Sequence, residues 1–164
     1  MLFVFRLFFL VLAMLSWLGW PDVVVADQEV SANSNPNWAS LVYSRTRGRA
    51  GPSMEFQIKW IYHRRHLPVK VLRRASEWTQ IEDMDGDILW MHNSVLDKRR
   101  TALVISSDPA FLYREFDETD RIIARIAPNV IVRVLRCFPK ACEVVVKEKQ
   151  GWVKVEDLWG PVQE

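Results

Sequence analysis

Two cysteines and three histidines are the residues of this chain whose types and spacing could do chemistry. Cys137-Phe138-Pro139-Lys140-Ala141-Cys142 places both thiols at the mouths of a short proline-containing turn between two β-type runs. Residues flanking a four-residue hairpin loop face one another, close enough to bridge. A zinc site is the competing reading, but C-x4-C without a second Cys or His pair nearby lacks the usual ligand spacing. The expectation is a Cys137–Cys142 disulfide formed in an oxidising compartment. Closing so short a loop stabilises by about 2 kcal/mol in the chain-entropy model. His63-Arg64-Arg65-His66 with His92 could be drawn as a metal triad. No carboxylate stands at ligand spacing, and two arginines between the imidazoles repel a cation, so the stretch reads as a basic loop. Serines and histidines are scattered without a nucleophile turn, and no glycine-rich phosphate loop appears. The sequence therefore nominates no catalytic residue, no metal and no cofactor, and reads as a non-enzyme.

These groups sit on a repeated framework. Leu67-Pro68-Val69-Lys70-Val71-Leu72 lines up with Val130-Ile131-Val132-Arg133-Val134-Leu135. Trp78-Thr79-Gln80-Ile81 matches Ala141-Cys142-Glu143-Val144, and Trp90-Met91 with Leu96 matches Trp152-Val153 with Leu158. The offset is 63 positions at Val71 and 62 at Trp90. A period of that size is one small β-barrel, longer than the roughly 20–50-residue units of solenoids. Phe56, Ile58, Trp60 and Tyr62 alternate, Val69 and Val71 flank Lys70, and the turn Asp83-Met84-Asp85-Gly86 precedes Ile88-Leu89-Trp90-Met91. Short alternating runs between turn signals predict strands of a small barrel. The expected fold class is all-β, with modules at residues 45–105 and 106–162. Asp27–Ser44 is polar and reads as a flexible linker whose end, Trp38 and Leu41-Val42-Tyr43, begins to pack. Asp108–Asp120 is less regular and suits a helical turn joining the modules.

Met1–Leu18 is almost wholly apolar, with Arg6 its only charged side chain, and Gly19, Pro21 and Val24-Val25-Ala26 follow. This is an export-signal pattern (residues 1–26) with cleavage after Ala26. An uncleaved membrane anchor is the alternative, because the run approaches spanning length. No later segment is long and apolar enough to span a bilayer. The formal net charge of +2 is too mild to imply a nucleic-acid partner. The cations are clustered at Arg45, Arg47 and Arg49, at Arg64-Arg65, at Arg73-Arg74 and at Lys98-Arg99-Arg100. Most read as solvated loops. Several meeting on one face would hold anionic envelope polymers or phospholipid headgroups.

Arg49-Ala50-Gly51-Pro52-Ser53, Trp60, Leu67-Pro68-Val69-Lys70-Val71, Trp78-x-x-Ile81, Asp83-x-Asp85-Gly86, Trp90-Met91-His92 and Leu96 with Arg99-Arg100-Thr101 follow one another in a familiar order. Together they resemble the bacterial Src-homology-3-like family, in particular an exported tandem type of alphaproteobacteria. That type has a Cys-bearing second copy and a Leu-Trp-Gly tail, here Leu158-Trp159-Gly160. The resemblance covers nearly all of residues 45–162. It implies two tandem Src-homology-3-like barrels that bind cell-wall or protein partners. The chain departs from the pattern at Leu89, where the family has Gly before the Trp of the last hairpin, although Gly151 keeps it in the second copy.

Strand parity turns Trp78 away from Ile81, and the resemblance puts a groove aromatic at this place. Ala141 replaces it in the second copy, so ligand contact is expected in the first module, around Trp78 with Tyr62, Arg64, Arg65 and Arg73. The alternative is that Trp78 covers core edge or packs on the neighbouring module. Trp90 and Trp152 read as core or inter-module packing. The expected function is a non-catalytic, periplasmic or secreted binding module for peptidoglycan peptides or an envelope protein. A structural or assembly protein with buried aromatics, or a secreted effector, are the alternatives.

Overall fold

The protein, in a computed structural model, is described for residues 37–116 and 121–162. The expected signal peptide, its cleavage point after Ala26 and the first ten residues of the expected linker lie outside the described residues. The first half of the described chain forms β1 (Asn37–Leu41), β2 (Thr46–Arg49), β3 (Ile58–Tyr62), β4 (Pro68–Arg74), β5 (Trp78–Glu82), β6 (Ile88–His92) and β7 (Leu96–Asp97). The second forms β8 (Thr101–Val104), β9 (Ala110–Tyr113), β10 (Ile122–Ile126), β11 (Ile131–Cys137), β12 (Ala141–Val146), β13 (Lys149–Lys154) and β14 (Leu158–Trp159). Each set makes a seven-stranded antiparallel sheet, ordered β3-β2-β6-β5-β4-β1-β7 and β10-β9-β13-β12-β11-β8-β14. The two orders are identical once each strand of the second set is matched to its counterpart in the first. The repeat therefore extends over the whole topology.

Three expectations need correction. Asn37–Leu41 is not linker: it pairs with β4 from Asn37↔Val71 to Ser40↔Pro68 and with β7 at Leu41↔Leu96. Thr101–Val104 belongs to the second module, because β8 pairs with β11 and β14. Ala110–Tyr113 is strand β9, paired with β10, where a helical turn was expected. Short 3₁₀ turns occur instead at Asn93–Val95 and Val155–Asp157.

Alternation places one face of the central strands inside. Val69, Val71, Ile81, Leu89 and Met91 build the first core with Ala39 and Leu41. Val132, Val134, Val144, Val153, Leu112 and Ile126 build the second, and Cys137 and Cys142 are buried with them. The disulfide has formed, with Cα atoms 4.0 Å apart. A β-bulge interrupts β4 between Val71 and Arg73, and another interrupts β11 between Val134 and Arg136. One extra residue reverses strand parity. Arg73 and Arg136 would otherwise follow Val71 and Val134 into the cores, and the bulges turn both to the outer face.

The loss of glycine at Leu89 is compensated across the sheet. A Cβ on Gly48 would stand 2.8 Å from Leu89 Cδ1, and a Cβ on Gly151 would stand 3.0 Å from Leu112 Cγ and 2.4 Å from the Tyr113 carbonyl oxygen. Gly48 and Leu112 hold equivalent places on β2 and β9, as Leu89 and Gly151 do on β6 and β13. The first module thus has Gly facing Leu where the second has Leu facing Gly.

The modules are joined by more than the connecting segment 98–100. Leu103 of β8 is buried in the first core, and Ile131 of β11 packs against it. Trp38 and Trp159 meet edge to face at 4.8 Å between ring centroids. Thr101 Oγ1 donates to the His66 carbonyl (2.9 Å), Arg64 Nη2 donates to the Asn129 carbonyl, and Arg100 Nη2 donates to that of Pro161. His66 and Asn129, equivalent in the repeat, both adopt left-handed backbone, with φ of 63° and 62°.

Candidate functional site

The outer face of each module carries an arginine stacked on a tryptophan, set there by the bulges just described. Arg73 Cζ lies 5.0 Å from the Trp90 ring centroid, and Arg136 Cζ lies 5.4 Å from that of Trp152. Each Trp is flanked by its register partners, Trp90 by Gln80 and Arg49, Trp152 by Glu143 and Tyr113. Both side chains stand on the outer face, because Leu89, Met91, Gly151 and Val153 take the inward positions beside them. Trp90 is nonetheless buried, in keeping with the packing role expected of it, whereas Trp152 is half-buried.

The two copies differ in what remains open. In the first, Trp90 is 7% exposed beneath Arg73, and Trp78 is 9% exposed. Trp78 does lie on the face opposite Ile81, opposite His92 in register, and meets that ring edge to face at 5.5 Å. It is nonetheless buried, so it offers no open contact, and the expectation of a groove centred on it is corrected. Parity fixed the face but not what covers it. The other expected ligand residues are also occupied within the fold. The Tyr62 hydroxyl donates to Asp83 Oδ2 at 2.6 Å, and burial with the neighbouring Asp83 carboxylate pushes its pKa well up. Asp83 also accepts, through Oδ1, from the backbone N–H groups of Asp85 and Asp87. Arg64 is engaged with the second module, Arg73 caps Trp90, and Arg65 remains exposed beside His66. The structure does not bring these residues together into one site.

In the second copy the corresponding surface is open. Trp152 is half-buried and flanked by Phe138, with ring centroids 5.6 Å apart, and by Phe116 at 6.2 Å. Phe138 is 53% exposed and Phe116 38%. Tyr113 continues the row next to Phe111 on β9, and Arg125 lies over Phe111. Arg136 is held in place by an ion pair from Nε to Glu143 Oε2 at 2.6 Å. Glu143 also accepts from Gln150 Nε2, and these bonds, that from Gln150 first, hold its carboxyl below the usual carboxylate range. Alongside runs a groove of about 410 Å³ lined by Phe116, Pro139, Lys140, Lys154, Val155 and Glu156. Lys154 and Glu156 also line a neighbouring hollow of about 300 Å³ that reaches Phe111, Tyr113 and Asp157.

Stiff aromatic rings with cations stacked among them suit an extended chain carrying apolar groups and carboxylates. The sequence reading missed this row. Phe138 drew attention only as part of the disulfide turn, and Phe116 lay in the segment taken for a connecting helical turn. The usable signal was the pairing of Arg136 with Trp152 in the copy that also carries those two phenylalanines. Among the described residues, no group of three or more His, Cys, Asp or Glu could hold a metal ion.

Among solved structures, the fold is similar to NlpC2 and NlpC1 of Trichomonas vaginalis and to an NlpC/P60 family protein of Bacillus cereus. NlpC2 is 13% identical with a TM-score of 0.33, over 75% of this chain and 47% of that one. NlpC1 is 14% identical with a TM-score of 0.33, over 78% and 47%. The Bacillus cereus protein is 13% identical with a TM-score of 0.32, over 75% and 56%. The chain thus spans about half the length of the structures it matches. No curated protein matches it at a significant level. A family model described as bacterial SH3 domain matches residues 43–98 and, a second time, residues 106–160. With the same strand order found twice and both copies matched, the chain belongs to the bacterial SH3 domain family.

Proposed function

We propose that this protein is a non-catalytic binding module of the cell envelope, periplasmic or secreted, that holds a peptide in the groove of its second module. The observation that carries the reading is the aromatic row Phe116–Trp152–Phe138, with Phe116 and Phe138 exposed and Arg136 lying over Trp152 and Phe138. The ligand class is a peptidoglycan peptide or an extended segment of an envelope protein. Such chains combine small apolar side chains with carboxylates, which fit the exposed rings of Phe116 and Phe138 and the groove cations Lys140 and Lys154. Catalysis is not part of this reading, since the two thiols are bonded to each other and the groove joins aromatic rings with cations rather than a nucleophile with its base.

The test is binding of purified cell-wall sacculi, and of the soluble peptides released from them, by wild type, Trp152→Ala and Phe138→Ala. Loss of an anchoring aromatic costs about 2 kcal/mol, roughly thirtyfold in affinity. Both variants are expected to lose binding and keep folding, judged by thermal unfolding. Unchanged binding by the two folded variants rejects the groove.

A further inference from the structure

The hairpin formed by β2 and β3 concentrates exposed apolar side chains beside cations. Within eight residues it exposes Met54 (69%), Phe56 (47%), Ile58 (36%), Trp60 (54%) and Ile61 (39%). From Arg45 to Arg65 the chain carries six Arg or Lys residues and a single acid, Glu55. Arg49 Nη1 donates to the carbonyls of Met54 (2.8 Å) and Phe56 (2.7 Å), and the Phe56 ring lies over Gly51 where a Cβ would stand 2.7 Å away. The tip is therefore preformed, although its apolar side chains face water.

We propose that this hairpin is a contact for an anionic lipid bilayer. Gly48 pairs with Trp60 and Arg47 with Ile61, so exposed apolar side chains stand on opposite faces of the hairpin as well as at its tip. A folded protein partner covers one face, whereas the headgroup layer surrounds an inserted hairpin on all sides. Trp and Phe rings suit the depth of the headgroups, and Arg45, Arg47 and Lys59 flank them where anionic lipid phosphates lie. β3 ends its sheet, so nothing on that side of the hairpin has to move. The sequence between β9 and β10 in the second module reads Arg114-Glu115-Phe116-Asp117-Glu118-Thr119-Asp120-Arg121, with four acids against two cations, and does not share this chemistry. Of the two equivalent segments, the one in the first module has the composition suited to an anionic membrane surface.

The test uses the full chain with an environment-sensitive fluorophore on Gln57→Cys, and a control label on Glu148→Cys in the second module. The probes are vesicles of phosphatidylcholine alone, vesicles with one third phosphatidylglycerol, and inorganic polyphosphate in solution. With phosphatidylglycerol the label at position 57 is expected to shift to the blue and to resist aqueous iodide, while the label at position 148 does not change. Combining Arg45→Gln, Arg47→Gln and Lys59→Gln should weaken the response about a hundredfold, from roughly tenfold or less per cation. Phe56→Ser with Trp60→Ser should weaken it at least tenfold at unchanged thermal stability. A position-57 label that stays open to iodide on vesicles carrying the protein means attachment by another part of the chain and overturns the proposal. So does an equal response to polyphosphate, or one indifferent to Phe56 and Trp60.

Discussion

Exchanging glycine and leucine between β2 and β6 tests whether the two modules share one packing rule. Leu89 is 3% exposed in the first core, so Leu89→Gly removes a fully packed side chain. Leu→Ala truncation costs about 2–5 kcal/mol, and glycine in a strand adds about 0.5–1 kcal/mol. Gly48→Leu alone adds a Cβ 2.8 Å from Leu89 Cδ1 and 3.4 Å from Tyr62 Cε2, an overpacking cost of about 1–3 kcal/mol. Together the two changes recreate the arrangement of Leu112 over Gly151. The leucine introduced at position 48 fills the volume vacated at position 89, and the double variant should lie within about 2 kcal/mol of wild type. The expected coupling is about 3 kcal/mol, at the upper end for residues in direct contact. Urea unfolding of the four proteins, followed by tryptophan fluorescence, measures it through the midpoints. A double variant destabilised by the sum of the single changes refutes the exchange.

Trp78→Ala should cost about 3–5 kcal/mol of stability, as for a buried aromatic, and leave binding to sacculi unchanged per folded molecule; thermal unfolding with a pulldown checks both. His66 should make the junction between the modules sensitive to acid. Burial first, then Arg99 and Arg65 against a smaller opposing effect of Asp97, lower its pKa below 6.5, and Arg99 Nη1 reaches Nε2 at 3.2 Å. A lowered folded pKa means stabilisation present above the unfolded value and lost as pH falls through the folded one. His66→Asn removes that part of the pH dependence, measured as melting temperature between neutral and mildly acidic buffer. It should also stabilise by about 1 kcal/mol at neutral pH, because asparagine tolerates the left-handed backbone at φ 63° and already occupies the equivalent position, Asn129.

Much of the framework was legible because it depends on local alternation. Val69/Val71 against Ile81, and Val132/Val134 against Val144, announce the central hairpins, and the cysteines at the mouth of one of them announce their own bond. Strands whose pairing is distant left weaker traces. β1 reads Asn-Trp-Ala-Ser-Leu, with buried Ser40 and with Trp38 committed to Trp159 rather than to its own core. Its partners on β4 and β7 begin at Pro68 and Leu96, far along the chain, so the stretch reads locally as polar linker. β8 was divided from its module for the same reason. Side-chain direction at Trp78 followed from parity, but its covering comes from residues brought together only by the fold.

The binding reading rests on divergence between two copies of one surface. Both bulges turn an arginine onto a tryptophan, and both tryptophans sit at the same place in the sheet. In the first copy the stack is closed, with Trp90 nearly inaccessible and Trp78 buried beside it on the outer face. In the second, Ala141 replaces Trp78 and is itself fully buried, which leaves no large ring at that place. The aromatics are supplied instead by Phe138 in the turn and Phe116 beyond β9, and both remain exposed. The disulfide lies directly beneath, with Cys137 and Cys142 pairing the strands that carry Arg136 and Glu143. It fixes the turn that presents Phe138, which under the proposed function would reduce the conformational entropy lost on binding against that ring. A closed first copy that packs against its neighbour and an open, cross-linked second copy fit the proposed division between scaffold and recognition.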